Sequence, residues 1–357
     1  MLDQIVEALN QKDYVRAAQL LKKLKEEDPE NPWLKLYLAR FFEETDKLDR
    51  AEPLYRRLLR DSTNLKLISQ ARQGLSRLEK LAKQKKEKAI AEFLTTPESQ
   101  DHGALIIEAL PLALKQKAAP KFAEIMQIDP YIALLQLPSR SWRLYRTGAI
   151  GELSYYTELL RQAEIPSFCC AINRINQLEV YRVNYIQSLT PEVTIICQSQ
   201  DGQEGSFTFE WSEVKQRVEG LVPIYEESFQ IDARRKIYHK TKLQDYAQFY
   251  DLHFPERHSI LRFCDQNYEF QDGVLLLKSE NTTIRQKWNS LLQIFQNNIL
   301  NIPVWSEFSP FGETAIEFPE MLKTIKSRIN ILRHKETPWD PAFQLYSGLA
   351  FCRNFPK

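Results

Sequence analysis

An excess of charge of one sign is missing from this chain: its 357 residues carry 48 Lys and Arg against 47 Asp and Glu, a formal net charge of +1. No overall field draws in nucleic acid or an anionic membrane; nucleic acid is not an expected partner, while a peripheral membrane contact stays open through a local basic patch. Missing too is a run of about 18 apolar residues for a membrane span. The opening "MLDQIVEALNQKD" has no basic stretch followed by an apolar segment, so no secretory signal is expected and a cytoplasmic protein is. Cysteine is sparse. Cys169, Cys170, Cys197, Cys264 and Cys352 form no CxxC pair, and an odd, scattered set does not make a disulfide framework. They are expected to be small buried hydrophobes. The five histidines, His102, His239, His253, His258 and His334, lack HExxH or tight His/Cys spacing, so neither a metal nor a cofactor is expected.

What is present is a globular composition, 43% hydrophobic and 27% charged, on a chain long enough for two or three domains. Near the N-terminus one stretch echoes another. "DYVRAAQLLKKLKEEDPEN" at 13–31 and "KLDRAEPLYRRLLRDSTN" at 47–64 share a grammar in which Ala17 aligns with Ala51, Leu21 with Tyr55 and Leu24 with Leu58. The same offset of 34 residues sets Ile5 against Ala39. Leu20, Leu21 and Leu24, and again Leu54, Leu58 and Leu59, recur at helical spacing, giving each segment an apolar face that a lone hairpin cannot cover.

This period and these residues resemble the tetratricopeptide repeat family. Ala39 matches its small residue in the first helix, Phe42 the aromatic a turn later, Ala17 and Ala51 the small residue opening the second helix, and Tyr55 the second-helix aromatic. Pro29 stands at the usual closing proline. Leu21, Thr63, Ile5, Leu24 and Leu58 depart from the pattern, which implies divergent repeats. A third unit opens with "LKLISQARQGLSRLEKL" and runs into "EKLAKQKKEK" at 79–88, read as a long capping helix with a solvated, charged face, the alternative being a basic docking site for an acidic partner or a membrane surface. The whole repeat-plus-domain arrangement also looks similar to uncharacterised tetratricopeptide proteins of cyanobacterial type.

The resemblance implies stacked hairpins with a concave groove, lined by first helices, that holds a protein or peptide partner. Its side chains would be Leu2, Val6 and Leu9, then Trp33, Leu36, Arg40 and Glu43, then Leu67, Gln70 and Arg77. Trp33, Leu36, Arg40 and Glu43 recur at three, four and three residues, so one helix face carries them. Trp33 and Leu36 read equally well as core. The Lys and Asn pattern that clamps a C-terminal carboxylate in some family members is absent at Leu2 and Val6.

Beyond residues 1–94 the texture changes. A helical connector is expected over 95–138, with "GALIIEALPLALKQKAAPKFAEIMQIDP" broken at Pro111 and Pro120. An α+β domain is expected over 139–277, where "WRLYR", "ELSYYTELLRQA" and the segment after Pro166 read as strand, helix and strand. "TGAIGE" lacks the Walker lysine and GxGxxG, so it reads as a strand-to-helix turn. "EVYRVNYIQSL", "PEVTIICQS" and "EGSFTFEW" are strands, with a hairpin at Asp201-Gly202 and another at Asp272-Gly273. "SEVKQRVEGL" reads as a short helix capped by Ser212 and Glu213.

Arg234, Arg235, Lys236, Lys240 and Lys242, interleaved with Tyr238 and Tyr246, could grip a single strand of nucleic acid, a reading the near-neutral chain disfavours. Asp245, Asp251 and His253 could be drawn as an acid/base set, but no nucleophile accompanies them, and they read as surface and capping residues. A C-terminal helical region is expected over 278–357, with a helix in "NTTIRQKWNSLLQIFQNNIL" capped at Asn281/Thr282 and a further one in "EMLKTIKSRINILRHK".

The expected architecture is therefore α+β: an N-terminal helical array, then a mixed α/β body with antiparallel sheet and C-terminal helices. The expected function is a non-catalytic adaptor or scaffold with a peptide groove. Its rival is a regulatory protein whose α+β domain senses a nucleotide or other ligand.

Overall fold

The structure is a computed structural model that describes residues 1–231, 237–274, 283–333 and 335–355, with the side chains of 227–241 also left aside. The chain divides into two compact units, Met1–Glu92 and Phe93–Lys357. Arg234, Arg235, Lys236 and the Asn281/Thr282 cap lie outside the described residues.

The first unit is all helical: α1 (Leu2–Asn10), α2 (Tyr14–Glu27), α3 (Pro32–Glu44), α4 (Leu48–Asp61) and α5 (Leu65–Phe93). Side-chain caps start α2 and α3. The Asp13 carboxylate accepts from the Arg16 amide at 3.0 Å, and Asn31 accepts from the Trp33 amide at 2.9 Å with Pro32 at the first helical position. The turns repeat as the sequence does. Lys12 after α1 and Asp46 after α3 both take left-handed backbone, at φ 58° and 59°.

Ile5, Ala8, Leu9, Ala17, Leu21, Leu24 and Leu34 pack as one core, and Ala39, Ala51, Tyr55, Leu58, Leu67 and Ala71 anchor the next. Ala17, Ala39 and Ala51 are wholly buried, so close helix approach is bought by small side chains. Tyr55 fills the space so opened and lies on Gly74 of α5. A β-carbon built at Gly74 would stand 2.4 Å from the Tyr55 ring.

The second unit opens with β1 (His102–Ile107), α6 (Leu112–Met126), α7 (Pro130–Gln136), β2 (Arg143–Ala149), α8 (Ile150–Gln162), β3 (Ser167–Ala171) and α9 (Ile172–Asn176). Its three-stranded sheet has the order β2-β1-β3, antiparallel throughout. The expected strand, helix and strand over 141–171 are present. The expectation of a helical connector beginning at Gly103 is overturned, because "ALII" forms the central strand. Alternation explains it: Ala104 and Ile106 face one core while Leu105 and Ile107 face another, so a run apolar at every position is buried on both sides.

A second, seven-stranded sheet is built from β4 (Glu179–Ser188), β5 (Val193–Gln198), β6 (Glu204–Phe209), β7 (Gln216–Ile231), β8 (Ile237–Phe254) and β9 (Ser259–Cys264), with the short β10 (Val304–Trp305) as its seventh strand. The remaining elements are α10 (Ile284–Asn298), α11 (Phe308–Ala315), α12 (Pro319–Leu322) and α13 (Trp339–Asn354). Strand order is β10-β7-β8-β9-β4-β5-β6. The β5–β6 hairpin turns at Gly202, φ 78°, as expected. The helix expected in "SEVKQRVEGL" is instead a single 3-10 turn at Trp211–Glu213, after which β7 begins. The strand is favoured because Val218 and Val222 fall at even spacing on one buried face.

On one face of the large sheet Tyr250, Leu252, Phe254 and Phe263 pack under Trp288, Leu291 and Phe295 of α10. On the other, Val218, Val222, Ala247 and Phe249 share a core with α11, α13 and the small sheet. α13 is buried at almost every position from Ala342 to Cys352, so its sequence shows no amphipathic stripe. Among the described residues of "EMLKTIKSRINILRHK", helix is confined to the part shared with α12 (Pro319–Leu322), with 326–331 in irregular backbone. All five cysteines are free thiols, four of them buried.

Gly74→Ala is expected to lower the stability of the first unit by about 1–2 kcal/mol. Overpacking against Tyr55 outweighs the gain of up to about 1 kcal/mol in helix propensity. Urea unfolding followed by helical circular dichroism checks the sign, and a more stable variant would contradict the packing described.

Candidate functional site

Equivalent positions of successive repeats lie side by side in a stacked helical array, and Glu43 and Arg77 show it directly. Arg77 donates from Nε and Nη2 to the Glu43 carboxylate at 2.6 and 3.0 Å, and the Tyr55 hydroxyl donates to the same carboxylate at 2.6 Å. Glu43 is a near-buried strut, with its side chain 8% exposed and its oxygens engaged. The arginine is charge-stabilised there, its pKa raised by the bond to Glu43. The Tyr55 phenol is pushed well above its ordinary value, first by burial and then by Glu43.

Above this strut lies a recess of about 230 Å³. Val6 of α1, Leu36, Tyr37 and Arg40 of α3, and Gln70, Gln73 and Arg77 of α5 line it, with Tyr55 beneath. Of the six residues expected to meet a partner, Leu36, Arg40, Gln70 and Arg77 come together here. Trp33 and Glu43 do not line it. Trp33 is half-buried, stacked on Tyr37 at 6.1 Å with Lys66 over its ring at 5.9 Å. Leu36 forms the apolar floor and is itself core. Sequence reasoning missed Tyr37 and Gln73. Gln73 sits three residues beyond Gln70 and four before Arg77, so helical spacing alone could have found it.

The polar atoms of the recess are prepared rather than spent. Arg40 donates from Nε to Glu44 at 2.9 Å and from Nη2 to Asn10 at 2.8 Å, which fixes the guanidinium plane and leaves Nη1 for a visitor. Arg77 is held in the same way by Glu43. The amides of Gln70 and Gln73 make no hydrogen bond among the described residues.

The second unit holds a different constellation, buried between α13 and the large sheet. Asp251 and His253 project from β8 toward α13, both wholly buried, which corrects their reading as surface residues. Asp245, with them in sequence, stays exposed. The group they meet, Ser347 of α13, lies far along the chain and was not legible.

The order of protons follows from the donors. Trp305 Nε1, which can only donate, and Asn354 Nδ2 both donate to Gln216 Oε1, at 3.1 and 2.5 Å. Gln216 Nε2 then faces His253 Nδ1 at 2.7 Å and donates to it. Burial holds the imidazole neutral, lowering its pKa to about 4, so its one proton is on Nε2 and is donated to Ser347 Oγ at 3.0 Å. Ser347 donates onward to Asp251 at 2.6 Å, and Arg262 grips Asp251 with two bonds of 2.7 and 2.9 Å.

A serine, a histidine and an aspartate in contact invite comparison with a hydrolase. The polarity is reversed: the imidazole donates to the hydroxyl and so does not take its proton, and every member is sealed from solvent. What the chain does chemically is tie α13 to the sheet.

A family model described as tetratricopeptide repeat matches residues 8–73. That interval covers the end of α1 through the first part of α5, the helices that build the recess, and it points to protein–protein interaction. No curated protein and no solved structure matches the chain. Among the described residues no helix is long and apolar enough to cross a membrane, and no group of three or more His, Cys, Asp and Glu side chains could hold a metal ion.

Asp251→Asn is expected to destabilise the second unit by about 3–5 kcal/mol, since it strands the buried Arg262 charge. A second expectation concerns pH. His253 has a folded pKa of about 4, below the ordinary 6.5, so the unfolded chain binds more protons between those values and stability rises with pH across them. Acidification from pH 7 to pH 4 should remove about 3 kcal/mol through this group. Urea midpoints measured over that range should show the loss in the wild type and a flatter profile in His253→Gln; parallel profiles would count against it.

Proposed function

We propose that this protein is a non-catalytic adaptor that holds an extended peptide segment of a partner protein in the recess between α1, α3 and α5. One observation carries the reading: Arg40 and Arg77 are each held at two nitrogens by groups of the array, and with Gln70 and Gln73 they aim unused donors and amide acceptors over an apolar floor. Such a set suits main-chain carbonyl and amide groups, and the narrow apolar floor suits a small aliphatic side chain. Preorganised guanidinium groups lose little freedom on binding, so the contact needs no large area to be specific. The adaptor works in the cytoplasm, where thiols such as the five here stay reduced. It needs neither cofactor nor metal, and nucleic acid is not its partner.

A photo-crosslinking residue placed at Gln73 of the full chain should capture a partner through this recess. For that partner, Arg40→Ala and Gln70→Ala should each weaken binding about tenfold or more while the helical signal is unchanged. Unchanged affinity in both variants would remove the recess from the account.

A further inference from the structure

The second unit carries another opening, formed by the irregular segment after α12, the N-terminal half of β4 and the β5–β6 turn. It encloses about 690 Å³, a volume in the range of small-molecule sites. Its apolar lining among the described residues is aliphatic, from Val180, Leu322, Ile325 and Ile329 with several prolines, and none of those residues contributes an aromatic ring. Its charged lining is lopsided: Arg182, Lys323, Lys326 and Arg328 face one carboxylate, Glu336. Lys323 is paired with Glu320 at 2.6 Å. Arg182, Lys326 and Arg328 form no ion pair among the described residues, so the lining itself sets three such cations against Glu336, with Glu179 and Asp201 acting on Arg328 from outside it.

The opening is built rather than incidental. Arg182 stands in a row across the sheet, with Gln198 on one side and Arg262 on the other, and Arg262 beside Asp251. Arg262 is neutralised by Asp251; among the described residues Arg182 has only the neutral Gln198 amide oxygen as a hydrogen-bond acceptor, at 3.1 Å. The irregular segment is tethered from three places. Asn176 donates to the Thr324 carbonyl at 2.9 Å and accepts from the Lys326 amide, Arg262 donates to the Ser327 carbonyl at 3.1 Å, and Asn267 binds the Asn330 carbonyl. Between these tethers Arg328 is held in left-handed backbone at φ 54°, a conformation that costs a non-glycine residue about 1 kcal/mol or more and persists where the surroundings impose it. Partial burial lowers the pKa of its guanidinium, opposed by the charges of Glu179 and Asp201 outside the lining.

We infer that this cleft binds a small organic phosphate with an aliphatic body, its dianionic head between Arg182, Lys326 and Arg328 and its chain on the Leu322, Ile325 and Ile329 floor. A phosphate monoester carries about −1.5 to −2 charges at neutral pH, which matches the excess in the lining, whereas a single carboxylate leaves one cation unanswered. Arginine forks suit its three oxygens. The absence of a ring to stack on among the described lining residues disfavours a nucleobase.

Calorimetric titration of the full chain with n-hexyl phosphate, inorganic phosphate and adenosine monophosphate tests this. Hexyl phosphate should bind and raise the thermal midpoint, with affinity above that of the other two. Arg182→Gln and Arg328→Asn, the latter tolerant of left-handed backbone, should each weaken it about tenfold or more with the ligand-free midpoint preserved. No binding of hexyl phosphate, tighter binding of adenosine monophosphate, or unchanged affinity in folded variants would each overturn the inference. The peptide recess of the first unit is untouched by these variants, so the two readings stand or fall separately.

Discussion

The pairing of Asp251 with Arg262, wholly removed from water, is the constraint on which the second unit depends. Two opposite charges there are costly to desolvate, and they are tolerable because every remaining donor and acceptor on them has work: Ser347 on the carboxylate, and the Ser327 carbonyl on the guanidinium. A packed apolar substitute could hold the sheet and α13 together as well. It could not also fix the azimuth of α13 through Ser347 and the path of the irregular segment through its carbonyls. One ion pair thus sets the position of a buried helix on one side and the wall of a cleft on the other.

The two units solve the problem of specificity differently. In the helical array, small residues at Ala17, Ala39 and Ala51 set helix spacing, and the polar group that sets register, Glu43, lies at the rim where Arg77 can reach it from the next repeat. In the larger unit register is set in the interior. The outward consequence is similar in both, because arginines fixed by the scaffold at some of their nitrogens present the rest at an opening.

How much of this could be read beforehand follows from where each element meets water. α2 and α4 have one wet face, so Leu21, Leu24, Tyr55 and Leu58 stand out at helical spacing, and the repeat placed Leu36, Arg40, Gln70 and Arg77 toward a common groove before any coordinates. β1 and α13 have no wet face. A run such as "ALII" or "AFQLYSGLAFC" then loses its periodicity: the first reads as helix and is a strand, while the second falls in the expected C-terminal helical region with no stripe to mark where its helix starts and stops. "TIKSRINILRHK" has the composition of a helix, but Asn176, Arg262 and Asn267 compete for its carbonyls and win. Asp251 and His253 were visible as neighbours; Ser347 and Gln216, which give them their roles, are brought in by topology that no local spacing encodes.

The separation between those partners bears on how the molecule comes into being. Helices α1 to α4 touch mainly their neighbours in sequence, so this part of the array can close as each hairpin leaves the ribosome. The broad sheet has no such option: β8 is made well before the segment that covers it, and until Ser347 arrives a carboxylate and an imidazole sit on a naked apolar face. That interval is when a chaperone would find something to hold.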